Sequence, residues 1–168
     1  DSMLQFRESD ELRYHESLGI VPMLFGKIKK VFIGGGGDGL VAARLLKFPG
    51  IEQIVLCDFD KAVTDLARNQ PDLKALNSNS FSDKRVKLVN DDAYRYLERT
   101  KELFDLIICH FPDPFTDEIA KLYTLSFYNI AQNRLNPKGL ICVQTSARNG
   151  TCQIIQNTMA RVFKHTLY

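Results

Sequence analysis

Four consecutive glycines, an aspartate and a fifth glycine follow the apolar run Val31-Phe32-Ile33, giving Gly34-Gly35-Gly36-Gly37-Asp38-Gly39. An apolar strand that runs into glycines and then into a helical pattern forms a strand–turn–helix unit whose backbone meets a ligand directly. Glycine admits positive φ and lets another molecule approach the main chain closely. The helix that follows aims its first amide donors at the same point. Phosphates favour such a helix start, yet Asp38 places a negative charge inside the bend. Like charges about 4 Å apart cost roughly 4 kcal/mol at an effective dielectric constant near 20. The bend therefore suits a ligand that is neutral or cationic where it passes Asp38. Gly34, Gly36 and Gly39 also satisfy G-x-G-x-x-G, which alone suggests a nicotinamide dinucleotide. The acid in the turn argues against that pyrophosphate.

With 168 residues, 45% hydrophobic and 25% charged, the chain has the size and composition of one globular domain. A net charge of +2 without a dense basic stripe argues against nucleic acid as a partner. The short basic cluster Lys27-Ile28-Lys29-Lys30 reads as a solvated strand entry. Cys57, Cys109, Cys142 and Cys152 include no C-x-x-C, and the first three sit in or at the end of strand-like runs. Buried thiols in a reducing, cytoplasmic setting are expected, with no disulfide and no metal site. No signal peptide or apolar stretch of membrane-spanning length occurs. The opening on Asp1 and the strand-like ending His165-Thr166-Leu167-Tyr168 lead us to expect a piece of a longer protein, with its C-terminal strands truncated.

From residue 31 onward, β-rich runs at 31–35, 53–58, 86–90, 104–109, 139–145 and 166–168 alternate with helical patterns at 39–47, 61–69, 91–99, 118–134 and 151–163. This alternation predicts right-handed βαβ units in an α/β, Rossmann-like, doubly wound and mostly parallel sheet over residues 27–168. Residues 70–85 are expected as a surface loop with a helical turn. Residues 1–26 stand outside the alternation and are expected as a strand and short helix leaning over the site. Ligands of such sheets bind beyond the carboxyl ends of the strands. The informative residues fall there.

Asp58 lies twenty residues after Asp38, the spacing at which nucleoside-binding α/β domains place an acid on the ribose hydroxyls. Asp60 suits a helix N-cap. Asp91 and Asp92 both end the third strand; one caps the next helix, and Asp92 stands equally as cap and as adenine contact. His110-Phe111-Pro112-Asp113-Pro114 follows the fourth strand, and its prolines hold the segment rigid and non-helical. Asp113 reads either as a turn residue or as a functional acid. His110 reads as general base, hydrogen-bonded wall or filler. Asp10-Glu11-Leu12-Arg13-Tyr14-His15-Glu16 would pass alone as a charged helix start.

Together these stretches resemble the polyamine aminopropyltransferase family, spermidine synthase and its relatives. The resemblance runs through Leu4-Gln5-Phe6, Asp10-Glu11-x-x-Tyr14-His15-Glu16, Gly35-Gly36-Gly37-Asp38-Gly39, Cys57-Asp58-Phe59-Asp60 and Asp83-Lys84-Arg85-Val86. It continues through Asp92-Ala93, Asp113-Pro114, Leu122-Tyr123, Phe127-Tyr128 and Leu135-x-Pro137-x-Gly139. The Phe111-Pro112-Asp113-Pro114 wording is similar to a bacterial subgroup in which this domain is often fused to membrane helices.

The resemblance implies a class I methyltransferase-type fold that transfers aminopropyl from decarboxylated S-adenosylmethionine to a polyamine such as putrescine. Methylthioadenosine is the product, no metal takes part, and homodimers are common. It implies that Asp58 holds the ribose, that Asp92 and Ala93 meet the adenine, and that Asp38 beside Gly35 and Gly36 meets the donor's aminopropyl end. It places Gln5, Tyr14 and His15 on the donor or acceptor pocket, with Tyr14 counted among the catalytic residues, and Asp113 on the amines. Where the family has the aspartate proposed as base, this chain has His110. That departure leaves open a substitute base, a different acceptor, or a nucleoside-binding domain without turnover. An S-adenosylmethionine-dependent methyltransferase is the other enzymatic reading.

Overall fold

The computed structural model describes residues 8–146 and 150–166. Helix α1 (Glu8–Gly19) and a 3₁₀ turn (Val21–Phe25) precede the sheet. The alternation then runs β1 (Lys30–Gly35), α2 (Leu40–Leu45), β2 (Gln53–Cys57), α3 (Lys61–Asn69), α4 (Pro71–Leu76), β3 (Val86–Val89), α5 (Ala93–Arg99) and β4 (Phe104–His110). It ends with α6 (Asp117–Ala120), α7 (Leu125–Gln132), β5 (Leu135–Val143) and α8 (Thr151–Ala160). The strands form one sheet in the order β3-β2-β1-β4-β5, and every neighbouring pair is parallel.

Continuous apolar runs make the central strands because both sheet faces are covered. Phe32, Val55, Cys57, Ile107 and Cys109 face one core, which α5, α7 and α8 close with Leu97, Phe127, Tyr128 and Ile155. Their neighbours Val31, Ile33, Ile54, Leu56, Leu106 and Ile108 face the other core, closed by Leu18, Val41, Ala42 and Leu45. Successive residues of one strand thus serve opposite layers, as the period-two pleat requires. Strand order reverses between β1 and β4, and their register sets Gly35 opposite His110. That pairing places the glycine bend and the proline segment side by side at the switch point, where such sheets bind ligands.

Several expectations need correction. The helix expected over 118–134 is interrupted by a 3₁₀ turn at Lys121–Tyr123, and the Thr124 hydroxyl caps α7 afresh by accepting from the Phe127 amide. Strand β5 begins at Leu135 rather than 139, with an irregular register beside Phe104 and Leu106. Of the strand and short helix expected over 1–26, the described part holds helix α1 and the 3₁₀ turn, and residues 1–7, with Gln5, lie outside the described residues. Thr166 is not in a strand, and 167–168 lie outside the description. The four cysteines are free thiols. Among the described residues no helix is long and apolar enough to cross a membrane.

Candidate active site

The bend after β1 is shaped by what crowds it. Gly35 has φ +80°, and a Cβ there would stand 2.2 Å from the His110 carbonyl oxygen. Only glycine fits that backbone and that contact. The Gly37 amide donates to Asp58 Oδ2 at 2.8 Å, so the carboxylate at the end of β2 ties the bend down. The Asp60 amide donates to Asp58 Oδ1 at 2.8 Å. Each Asp58 oxygen keeps a second lone pair, enough to accept a pair of hydroxyls. Burial pushes the Asp58 carboxyl above its ordinary pKa, against the pull of the two backbone donors. Asp60 is the cap of α3, its Oδ1 accepting from the amides of Ala62 and Val63.

Asp38 leads into α2, where its Oδ1 accepts from the Leu40 amide at 2.8 Å. Its Oδ2 stands 3.9 Å from Nε2 of His15, which is fully buried. Adjacent residues of α1 thus face the switch point, because Tyr14 reaches His110 as well. The Tyr14 hydroxyl and His110 Nε2 are hydrogen-bonded at 3.0 Å. The rings of Tyr14, His15 and His110 pack edge to face and tilted, with centroids 4.8 to 5.5 Å apart. Burial, with help from the charges of Asp38 and Asp113, raises the Tyr14 pKa and keeps its hydroxyl protonated. Burial lowers the His110 pKa to about 4, the charge of Asp38 opposing and that of His15 assisting. His110 is therefore a neutral imidazole at pH 7. Its Nδ1 is buried and has no hydrogen-bond partner among the described residues.

The proline segment is pinned from below. The buried Tyr123 hydroxyl reaches the carbonyl oxygens of both Phe111 and Pro112 at 3.0 Å. Asp113 accepts from the Ser146 hydroxyl at 2.5 Å and from its amide at 3.3 Å, joining the segment to the end of β5. Asp92 proves to be the cap of α5, its Oδ1 accepting from the Tyr94 amide at 2.8 Å. Its Oδ2 pairs with the Lys121 ammonium at 2.5 Å. Burial works against the Asp92 charge, but Lys121 and the helix amides hold its carboxyl below the usual carboxylate range. Ala93, the first residue of α5, is buried against the bend, 3.3 Å from where a Cβ on Gly34 would lie.

Residues 70–85 do more than cover surface. The buried Asn77 side chain donates to the carbonyls of Asp38 and Ala67, and the buried Ser80 hydroxyl donates to the Gly39 carbonyl. The bend is therefore buttressed from outside by a polar segment whose spacing carries no such signal. Lys121 and Ser146 likewise escape sequence reasoning, since both act only across long sequence separations.

A bare backbone bend carries one carboxylate, a second acid closes it from the next strand, and aromatic and imidazole groups roof it. The spermine/spermidine synthase domain matches residues 11–167. The chain belongs to that family. Polyamine aminopropyltransferase 1 of Streptomyces coelicolor is 42% identical over 144 residues, covering 86% of this chain and 27% of that protein. Thermospermine synthase of Arabidopsis thaliana is 38% identical over 173 residues, covering 98% of this chain and 50% of that one. A crystal structure of spermidine synthase in complex with the transition-state analogue AdoDATO superposes with a TM-score of 0.87 at 33% identity, covering 94% of this chain and 54% of that one. This synthase-family chain thus spans roughly a quarter to a half of the length of the relatives it matches.

Proposed function

We propose that this domain carries out aminopropyl transfer from decarboxylated S-adenosylmethionine to a polyamine, releasing methylthioadenosine. The observation that carries the reading is the Asp38 carboxylate in the glycine bend, 3.9 Å from His15 and clustered with His110, which Tyr14 holds. A sulfonium or ammonium is attracted there, whereas a pyrophosphate is repelled.

In the reaction an amine lone pair attacks the carbon bonded to sulfonium sulfur. The new C–N bond forms as the C–S bond breaks, the electron pair stays on sulfur as a neutral thioether, and the positive charge passes to nitrogen, so the product leaves as a secondary ammonium whose proton exchanges with water. Asp58 receives the ribose hydroxyls on its spare lone pairs, and the Asp92–Ala93 start of α5 borders the adenine. For the exocyclic amine, Asp92 shares Oδ2 with Lys121 or the lysine swings aside. Asp38 faces the cationic aminopropyl end, and Asp113 anchors the acceptor's distal ammonium.

His110 does a different job from a carboxylate base. A neutral imidazole with a pKa near 4 is too weak to strip an alkylammonium of pKa ~10. Instead its ring, oriented by Tyr14, accepts a hydrogen bond from an amine that has already lost its proton. Positioning of this kind supplies rate through geometry rather than proton transfer.

The test is to incubate the full-length protein with either the decarboxylated or the carboxylated donor and a panel of diamines, and to follow methylthioadenosine by mass spectrometry. Methylthioadenosine and an aminopropylated diamine from the decarboxylated donor alone support the reading. Methylated product from the carboxylated donor, or nucleoside binding without any product, overturns it.

A further inference from the structure

We propose that His15, Asp38 and His110 form an inhibitory binding site for a borderline transition-metal cation, zinc foremost, that excludes the sulfonium donor. One ligand atom from each residue lies within 4.8 Å of the others, and Asp38 Oδ2 and His15 Nε2 are already 3.9 Å apart. Zinc bonds of about 2.0–2.1 Å to nitrogen and oxygen set tetrahedral ligand atoms roughly 3.3 Å apart. The cluster reaches that spacing by side-chain rotations that close its widest edge by about 1.5 Å.

Three features separate this cluster from a chance meeting of polar groups. Asp38 holds its Oδ1 on the Leu40 amide, which leaves Oδ2 turned to His15. His110 carries a buried nitrogen, Nδ1, without a hydrogen-bond partner among the described residues. Its other nitrogen is bonded to the Tyr14 hydroxyl, the outer-sphere arrangement that fixes ring orientation in metal-bound histidines.

Chemistry selects the class of ion. With a carboxylate at position 110 the cluster offers mostly hard oxygen, which suits magnesium or calcium. With His110 it offers two imidazoles and one carboxylate, a set that favours zinc, cobalt, nickel or copper. Three protein ligands leave a fourth position open to water or to an incoming amine. A dication on Asp38 neutralises the charge proposed to attract the sulfonium, so metal and donor exclude each other. The competition rests on the aminopropyl-transfer reading; the binding of metal does not.

The experiment uses the full-length protein freed of metal by a chelator. Zinc chloride is titrated by calorimetry, and cobalt(II) chloride is followed by visible absorption. One equivalent of zinc, tetrahedral cobalt d–d bands, and a loss of zinc affinity of at least ~10-fold in both His15→Gln and His110→Asp support the site. Thermal melts of the variants confirm that each is folded, and a variant that fails this test is replaced by His110→Asn. Absence of stoichiometric binding, binding that survives both histidine substitutions, or a thiolate charge-transfer band assigning the ion to Cys142 or Cys152 overturns it. Decarboxylated donor should raise the apparent zinc Kd in proportion to its concentration. Zinc that binds through the histidines but is not displaced by donor upholds the metal site and counts against the donor's placement. Turnover with no metal binding counts against the metal site alone.

Discussion

Replacing Asp38 with asparagine separates charge from shape at the glycine bend. Asn keeps an Oδ1 acceptor for the Leu40 amide, now bonded at 2.8 Å, so the entry to α2 is preserved. What disappears is one negative charge beside the proposed aminopropyl and sulfonium groups. At about 4 Å and an effective dielectric constant near 20, that charge is worth roughly 4 kcal/mol. The side chain is 24% exposed, so solvent screens part of this, and about 2 kcal/mol is the working figure. That corresponds to a ~30-fold rise in the donor's Kd. Methylthioadenosine carries neither the sulfonium nor the ammonium, so its affinity should change by less than about twofold. Calorimetric titration of both ligands at low and high salt provides the measurement. The donor penalty should also shrink as salt rises. Equal weakening of the two ligands, or a donor loss under threefold, would falsify the charge-pairing argument, because the side chain would then be acting through the shape of the bend.

Other perturbations reach the remaining parts of the site. Asp58→Ala removes acceptors for the Gly37 and Asp60 amides as well as the proposed ribose contact, so methylthioadenosine should bind at least ~10-fold more weakly; unchanged affinity rejects the ribose assignment. Asn77→Ala strips donors from the Asp38 and Ala67 carbonyls at a cost of about 2 kcal/mol. Its Tm should fall by about 4–8 °C in a scanning melt. Because His110 titrates near 4 when folded and near 6.5 when unfolded, the unfolded chain binds the extra proton between those values. Stability is therefore complete above pH 6.5 and declines as pH falls towards 4. Urea titrations should find about 2 kcal/mol lost between pH 6.5 and 5, a loss that His110→Asn largely abolishes. If the acceptor must arrive already deprotonated, kcat/KM should climb close to tenfold per pH unit from 7 to 9; a plateau there would restore a working base to the site.

The order of elements, the parallel sheet and the gathering of the candidate residues at the carboxyl ends of the strands were legible because they follow from local pattern. Continuous apolar runs of strand length can be buried only between two layers, and helical spacing between them supplies those layers. The glycine bend was legible for the same reason, since positive φ at Gly35 and close contact with the His110 carbonyl leave no room for a Cβ. Asp60 as a cap is likewise a local property, decided within three residues. Chain pattern misjudged the elements whose limits depend on distant partners. Thr124 restarts a helix in mid-run, β5 begins early against Phe104, and the 70–85 segment earns its place by holding the bend.

Side-chain charge states lay further out of reach. Nothing in the order of residues sets Tyr14 against His110 across 96 positions, or turns Lys121 onto Asp92. Those contacts come from α1 folding over the switch point and from the turn before α7. Sequence alone determined what kind of backbone this is and where its bare, acid-bearing bend must lie, because sterics and hydrophobic periodicity act over a few residues. Only the tertiary structure decided that His110 is a half-buried, neutral imidazole, since desolvation belongs to the assembled pocket and not to any residue within it.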